Sequence, residues 1–330
     1  MGVISIIGLG LIGGSMGLAL KEAKIPGVTI VGHDKDASAA GKAKRMNAVD
    51  KTEWNLIASV EEADMVILAV PVMSIKEIMG QIASYLPEGC VVTDTGSTKA
   101  QVMAWAKELL PPTVSFVGGH PMAGKETAGV EAAEVTLFKG CTYCLTPSPD
   151  ASREALEAVV GTVHLIGAKP YFVDPYEHDG FVGGISHLPF LLSTALVATA
   201  TSSASWREMS RLAAGGFRDV SRLASGDPQM HRDICLTNQE SMARWIDEYI
   251  DTLRHFRQLI LEGGDGIYQE LNKAWEARER WLHRPETTEE ERLAPEIPSV
   301  KETMASIFLP RQMAHRTERL LRDKEKKVGG

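Results

Sequence analysis

One stretch near the start constrains the chain more than any other: GVISII, then GLGLIG, then GSMGLALKEA, residues 2–23. A short apolar run leads into Gly8, Gly10 and Gly13, and apolar residues at helical spacing follow, so the stretch reads as strand, tight turn and helix. Each glycine has a task in that arrangement. Gly8 turns the chain, Gly10 lets backbone approach a diphosphate closely, and Gly13 lets helix and strand pack. The helix start at Leu11 and Ile12 then offers unpaired N–H groups to phosphate oxygens.

A second strand, VTIVGHD, ends in Asp34, 21 residues after Gly13. A carboxylate there accepts hydrogen bonds from ribose hydroxyls and repels a 2′-phosphate, which favours NAD over NADP. Further strand patterns follow at 63–71, 89–97, 113–121, 141–147 and 168–174, with helical segments between most of them. That rhythm predicts an α/β, Rossmann-like domain, a doubly wound and mainly parallel sheet, over residues 1–173. Ligands of such sheets sit beyond the carboxyl ends of the strands. Three loops belong on that edge: the one at Val70 and Pro71, the one from Asp94 to Lys99, and GGHPMAG from Gly118 to Gly124.

The last of these carries His120, whose ordinary pKa lets it exchange a proton near neutrality, the companion event of hydride removal from an alcohol. Gly118 and Gly119 are expected to leave room for a substrate. Ser97, at the end of a neighbouring strand, can hydrogen-bond the histidine or a reacting hydroxyl, and it is equally placed to N-cap the helix that follows. No metal is expected.

Beyond Asp174 the pattern turns helical, with long amphipathic stretches at 228–263 and 266–284, and residues 174–330 are assigned to an all-helical substrate and dimerisation domain with a charged tail at 285–330. Residues 181–201 are uncharged, but His187 and Pro189 lie inside them and basic flanks are missing, so a buried helix at a domain or dimer core is expected rather than a membrane span. A formal net charge of −8 argues against nucleic-acid or membrane-surface binding, and an anionic small molecule needs its own arginines. Arg218 and Arg222, four apart, would share one helix face and could fork a carboxylate, or pair with Asp219. Four cysteines are too few for a disulfide framework, and with no leader pattern ahead of the first strand the expected location is cytoplasmic. Cys141 and Cys144 form a CxxC that falls in a strand pattern and is read as structural.

Taken in order, GLGLIGGS, VTDTGSTK, VGGHPMAG with Glu126 after it, EHDGFVGGISHLP and GGFRDVSRLASGDPQMHRDI resemble the prephenate and arogenate dehydrogenase family over about residues 2–265. The resemblance implies NAD(P)-dependent oxidative decarboxylation of prephenate or arogenate in tyrosine biosynthesis; separately, the apolar surface of the helical half, including most of 181–200, points to a homodimer built through it. The resemblance further implies that His120 is catalytic, that Ser97 stands near the reacting hydroxyl, and that Arg222, oriented by Asp219, grips a substrate carboxylate. Glu126, His178, Ser186 and His187 fall on positions that line or gate the pocket. Two departures touch substrate choice: Phe190 stands where some members have a second histidine after SHLP, and His231 where an aromatic is sometimes found. Two other readings stay open on the residues alone. A 3-hydroxyacid dehydrogenase would use a lysine in the helical half, where this chain has GGFRDVSR; a dinucleotide sensor would bind cofactor without turnover.

Overall fold

The computed structural model describes residues 2–283. In chain order the first half runs β1 (Gly2–Ile7), α1 (Leu11–Ala23), β2 (Val28–His33), α2 (Ala37–Arg45), β3 (Lys51–Thr52), β4 (Met65–Leu68) and α3 (Val72–Ile82). It continues with β5 (Val91–Asp94), α4 (Ala100–Leu109), β6 (Ser115–Pro121), β7 (Thr142–Pro147), α5 (Arg153–Leu165) and β8 (Lys169–Phe172). These strands form one eight-stranded sheet ordered β3-β2-β1-β4-β5-β6-β7-β8. The order reverses direction between β1 and β4, so the carboxyl ends of those strands frame the crevice where such sheets bind ligands.

Both faces of the sheet are covered, and the strand residues divide between them with period two. Ile4, Ile6, Met65, Ile67 and Val91 pack with α1 and α5 on one side, whereas Ile7, Val66, Leu68 and Val92 pack with α3 and α4 on the other. Every strand pair is parallel except β6 with β7. Between those two the chain makes only a 3-10 turn, Val130–Ala132, and without a crossover helix it returns antiparallel. Cys144 lies buried within β7 and Cys141 just before it, both as free thiols. Burial pushes both thiols up, Cys141 to about 11, so neither is a thiolate near neutral pH and the structural reading of the CxxC fits.

The second half is helical: α6 (Pro175–Val182), α7 (Leu188–Thr201), α8 (Trp206–Leu212), α9 (Gly215–Ser221), α10 (Pro228–Thr237), α11 (Gln239–Glu262) and α12 (Gly266–Leu282). Asp174 starts α6 by accepting hydrogen bonds from the N–H groups of Tyr176 and Glu177, with Pro175 in the first turn. Between α6 and α7 lies a π-helical turn, Gly183–His187. Pro189 has no N–H and its ring crowds the carbonyl four residues back, which the wider turn accommodates. The expected stretch 228–263 is two helices, because Asn238 leaves helical geometry at φ −132°, ψ 43°. Pro175–Thr201 is long and apolar enough to cross a membrane, and only a third of it is buried. The charged tail expected at 285–330 lies outside the described residues.

Candidate active site

The glycine turn has the geometry its sequence predicts. Gly8 sits at φ +91°, where a Cβ would meet the Ala69 carbonyl oxygen at 2.4 Å, so only glycine turns the chain here. A Cβ on Gly13 would lie 1.9 Å from the Gly8 oxygen, which fixes the close packing of α1 on the loop. At Gly10, by contrast, a Cβ would meet nothing within 4 Å, so the backbone there is open to an incoming group. No acidic residue occupies the first turn of α1. The Leu9 N–H donates to Asp34 at 2.7 Å and the Asp36 N–H at 2.8 Å, so the Asp34 carboxylate ties the glycine loop to the end of β2. Val70 is half-buried and Pro71, which precedes α3, is exposed on the neighbouring loop. Open backbone, a helix N-terminus free of negative charge and a carboxylate at the second strand end fit a dinucleotide.

Farther along the same sheet edge, β6 ends in His120 and Pro121. Gly118 and Gly119 do not leave space for a ligand. A Cβ on Gly118 would lie 2.3 Å from the Thr146 hydroxyl, and one on Gly119 would lie 2.6 Å from the Asp94 carbonyl oxygen. Strand packing has already used the room that their small size creates. Two fully buried side chains lock this strand end. Asp94 accepts hydrogen bonds from the Gly119 N–H at 3.0 Å and the Gly96 N–H at 2.8 Å, and it forms an ion pair with Lys99. The Lys99 ammonium also donates to the Gly119 carbonyl at 2.7 Å.

His120 is half-buried, and its Nδ1 is 2.9 Å from Nε2 of His178 in α6. His178 is itself buried, and its Nδ1 lies 2.8 Å from the Asp179 carboxylate. Asp179 also accepts the N–H groups of Lys99 at 2.7 Å and Ala100 at 2.9 Å. The cap of α4 is therefore this carboxylate from the helical half, not Ser97, which is half-buried in the loop two residues before Lys99. Asn238 completes the junction, donating its amide to the Asp179 carbonyl at 2.8 Å and to Nδ1 of His187 at 3.2 Å. Thr98 and Thr237 share a buried hydrogen bond of 2.9 Å beside it. Nothing in local spacing announced Asp179 or Asn238, whose partners lie 51 to 80 residues away, and the Asp94–Lys99 pair, only five apart, was read simply as part of a polar loop. The one available hint was the adjacency of Asp179 to His178.

His187 is buried within the π turn, while Ser186 beside it is exposed. Phe190 stacks on His231 with ring centroids 4.0 Å apart and planes 5° from parallel, so the two departures from the family pattern are one packed pair. Arg222 caps the C-terminal end of α9 and opens a 3-10 turn, Arg222–Ser225. Its ion pair is with Glu126, from the loop after β6, and not with Asp219, which is exposed on α9. The expectation that Asp219 orients this arginine is thus replaced by a contact between the two halves of the chain.

Loss of hydration, reinforced by neighbouring His178, Lys99 and His187, holds the His120 imidazole well below its ordinary value. Burial likewise pushes His187 down to about 4. Desolvation disfavours the charged form, so His120 is a neutral proton acceptor at pH 7 and remains one as the pH falls past 6.5. The acid limb of kcat/KM is accordingly expected below pH 6.5. A limb centred at or above that value would show that His120 is not the titrating base.

An open glycine loop and a neutral histidine on one edge of this sheet define a dinucleotide-dependent dehydrogenase. Two sequence families narrow that class: prephenate dehydrogenase, nucleotide-binding domain, matches residues 16–172, and prephenate dehydrogenase, dimerization domain, matches residues 174–276. The chain belongs to the prephenate dehydrogenase family. It is 37% identical to prephenate dehydrogenase of Bacillus subtilis over 281 residues, 84% of this chain and 75% of that one. It is 31% identical to cyclohexadienyl dehydrogenase of Zymomonas mobilis over 83% of this chain and 94% of that one. Among solved structures it resembles prephenate dehydrogenase from Aquifex aeolicus in complex with hydroxyphenyl propionate and NAD+, with TM-score 0.80, 31% identity, and 85% and 98% of the two chains covered.

Proposed function

We propose that the chain catalyses the NAD-dependent oxidative decarboxylation of prephenate to 4-hydroxyphenylpyruvate, a step toward tyrosine. The observation that carries this reading is His120 at the end of β6, on the same sheet edge as the open glycine loop, its imidazole held by His178 where burial disfavours the charged form. NAD, when bound, supplies the hydride acceptor. Gly8, Gly10, Leu11, Ile12 and Gly13 would hold its diphosphate and Asp34 its ribose, with Val70 and Pro71 beside it. His120 takes the proton of the 4-hydroxyl as that carbon becomes a carbonyl, and Ser97 orients the same hydroxyl. The ring carboxylate leaves as carbon dioxide, its bonding electrons pass through the ring to the new carbonyl oxygen, which takes the proton back from His120 to give the phenol, and aromatisation makes the step one-way.

Arg222 grips a substrate carboxylate, which displaces Glu126 from the guanidinium. Ser186, His187 and Asp219 complete the pocket wall, with His178 behind His120. Phe190 and His231 occupy positions that the family places near the substrate's side-chain end. Their stacked rings present no anionic group to an ammonium, which supports the keto acid prephenate over the amino acid arogenate. The deciding experiment is steady-state turnover with prephenate and arogenate, each with NAD and with NADP. Prephenate with NAD is the pair expected to turn over. Silence with all four pairs, in protein that binds the cofactor, would defeat the reading.

A homodimer through the helical half belongs to the same proposal. α11 has 24 residues and buries only Met242, and α12 buries none, while Leu253, Ile260, Leu261, Leu271 and Trp275 are exposed. Amphipathic helices of that length need a partner for their apolar faces, and a second copy supplies one. Light scattering after size exclusion is expected to give twice the chain mass of 35.9 kDa. A monomer at micromolar concentration would refute the dimer.

A further inference from the structure

We propose that Asp179 is a positioning residue that, through His178, fixes which nitrogen of His120 is free to accept a proton. This rests on the functional reading above only in the identity of the proton's donor. The Asp179 side chain is 5% exposed and faces three donors: the N–H groups of Lys99 and Ala100 and the ring of His178. Both carboxylate oxygens already accept a backbone N–H at the start of a ten-residue helix, Oδ1 from Lys99 and Oδ2 from Ala100, so toward the ring the carboxylate acts as an acceptor. Nδ1 of His178 must therefore carry the hydrogen and donate it. In the neutral ring the other nitrogen, Nε2, is then a lone pair, and at 2.9 Å it can only accept from Nδ1 of His120. His120 is left with Nδ1 protonated and Nε2 free, the tautomer a general base requires.

The same chain acts again when the proton arrives. An imidazolium at His120 holds its Nδ1–H against His178, whose far side rests on the Asp179 charge, so the buried carboxylate opposes the desolvation that disfavours the cation. Groups facing His120 from other elements do not replace it. The His178 ring itself, Lys99 in the loop before α4, and His187 in the π turn all act against protonation, and the Asp94 carboxylate is committed to Lys99 and two backbone N–H groups. Orientation of an imidazole by a carboxylate behind it is a recurrent device in catalytic triads. Here a second histidine is interposed, and the carboxylate also caps α4, so one side chain from the helical half both closes the domain junction and orients the base.

The test begins with the unaltered protein. Imidazole ¹⁵N shifts at neutral pH distinguish a protonated from an unprotonated ring nitrogen, and among the nine histidines the His120 signals are those lost in His120→Asn. The expected result is a protonated Nδ1 and a bare Nε2 at His120; the opposite tautomer, or an average of both, overturns the proposal. The second arm is Asp179→Asn, which removes the charge. It is expected to lower kcat by about 10- to 100-fold, the size typical of a partner that orients a functional imidazole from behind. KM and NAD affinity should stay as they were. Without the negative charge the His120 cation is less favourable, so the acid limb of kcat/KM should also move to lower pH. A lower plateau with an unmoved limb would mean that Asp179 only caps the helix, and would overturn the proposal. Wild-type protein silent toward both substrates, yet holding His120 in the expected tautomer, would support the relay while defeating the assignment of the reaction.

Discussion

Replacing His120 by Asn is expected to lower kcat by about 10²–10⁴ while leaving NAD affinity and KM close to wild type, because general-base assistance of this kind acts in the transition state alone. The geometry sets the terms of the comparison. His120 touches the rest of the protein through Nδ1, which bonds to His178, and asparagine can offer an amide N–H toward that site while presenting no basic nitrogen to a substrate. The strand beneath it is held by Lys99 and Asp94 through Gly119, contacts that the substitution leaves in place. Fold and cofactor loop should thus survive, and circular dichroism with an NAD titration would verify that. If kcat fell less than about tenfold, proton removal would belong to another group or to water and the assignment of His120 would be wrong. The same variant separates this enzyme from one that uses a lysine in its helical half, which would lose little.

The parts of this design that read from sequence are those set by neighbours along the chain. A tight turn at positive φ, a close helix contact and open backbone require three glycines at fixed spacing, and Gly8, Gly13 and Gly10 meet those conditions in turn. The strand β4 is a continuous apolar run, and β1 is broken only by Ser5, because both faces of the sheet are covered, so their existence was plain while their order came only from the rhythm of helix and strand. His120 was legible because a strand end next to a glycine loop has a known place in such sheets. What lay hidden depends on distant contacts. Ser97 is a good capping residue by type, yet the carboxylate that caps α4 comes from Asp179, and no local preference can report a partner so far along the chain. Gly118 and Gly119 were read as room for a ligand because a sequence shows small size but not what fills the space. The family resemblance set Asp219 beside Arg222, whereas the guanidinium meets Glu126, 96 residues earlier in the chain, which no local pattern reports.

Substituting Lys99 tests how far the site depends on charge buried beneath it. Lys99 and Asp94 are both fully buried and form an ion pair, with the ammonium also bound to the Gly119 carbonyl. Removing one partner of such a pair strands the other charge in a medium of low polarity, a loss of about 3–5 kcal/mol. Lys99→Met keeps most of the methylene packing and isolates the electrostatic part. It is expected to lower the melting temperature by on the order of 10 °C. The double variant Asp94→Asn, Lys99→Met removes both charges, and asparagine can still accept one of the two glycine N–H groups that Asp94 holds. It should accordingly be more stable than Lys99→Met alone, since the stranded carboxylate is gone. Additive losses in the pair would mean that the carboxylate is satisfied by its backbone donors and that the lysine contributes packing only. Should the reversal be found, Lys99 acts chiefly to balance the buried carboxylate that holds Gly119, one residue before His120, and Lys99→Met should lose turnover as well as stability.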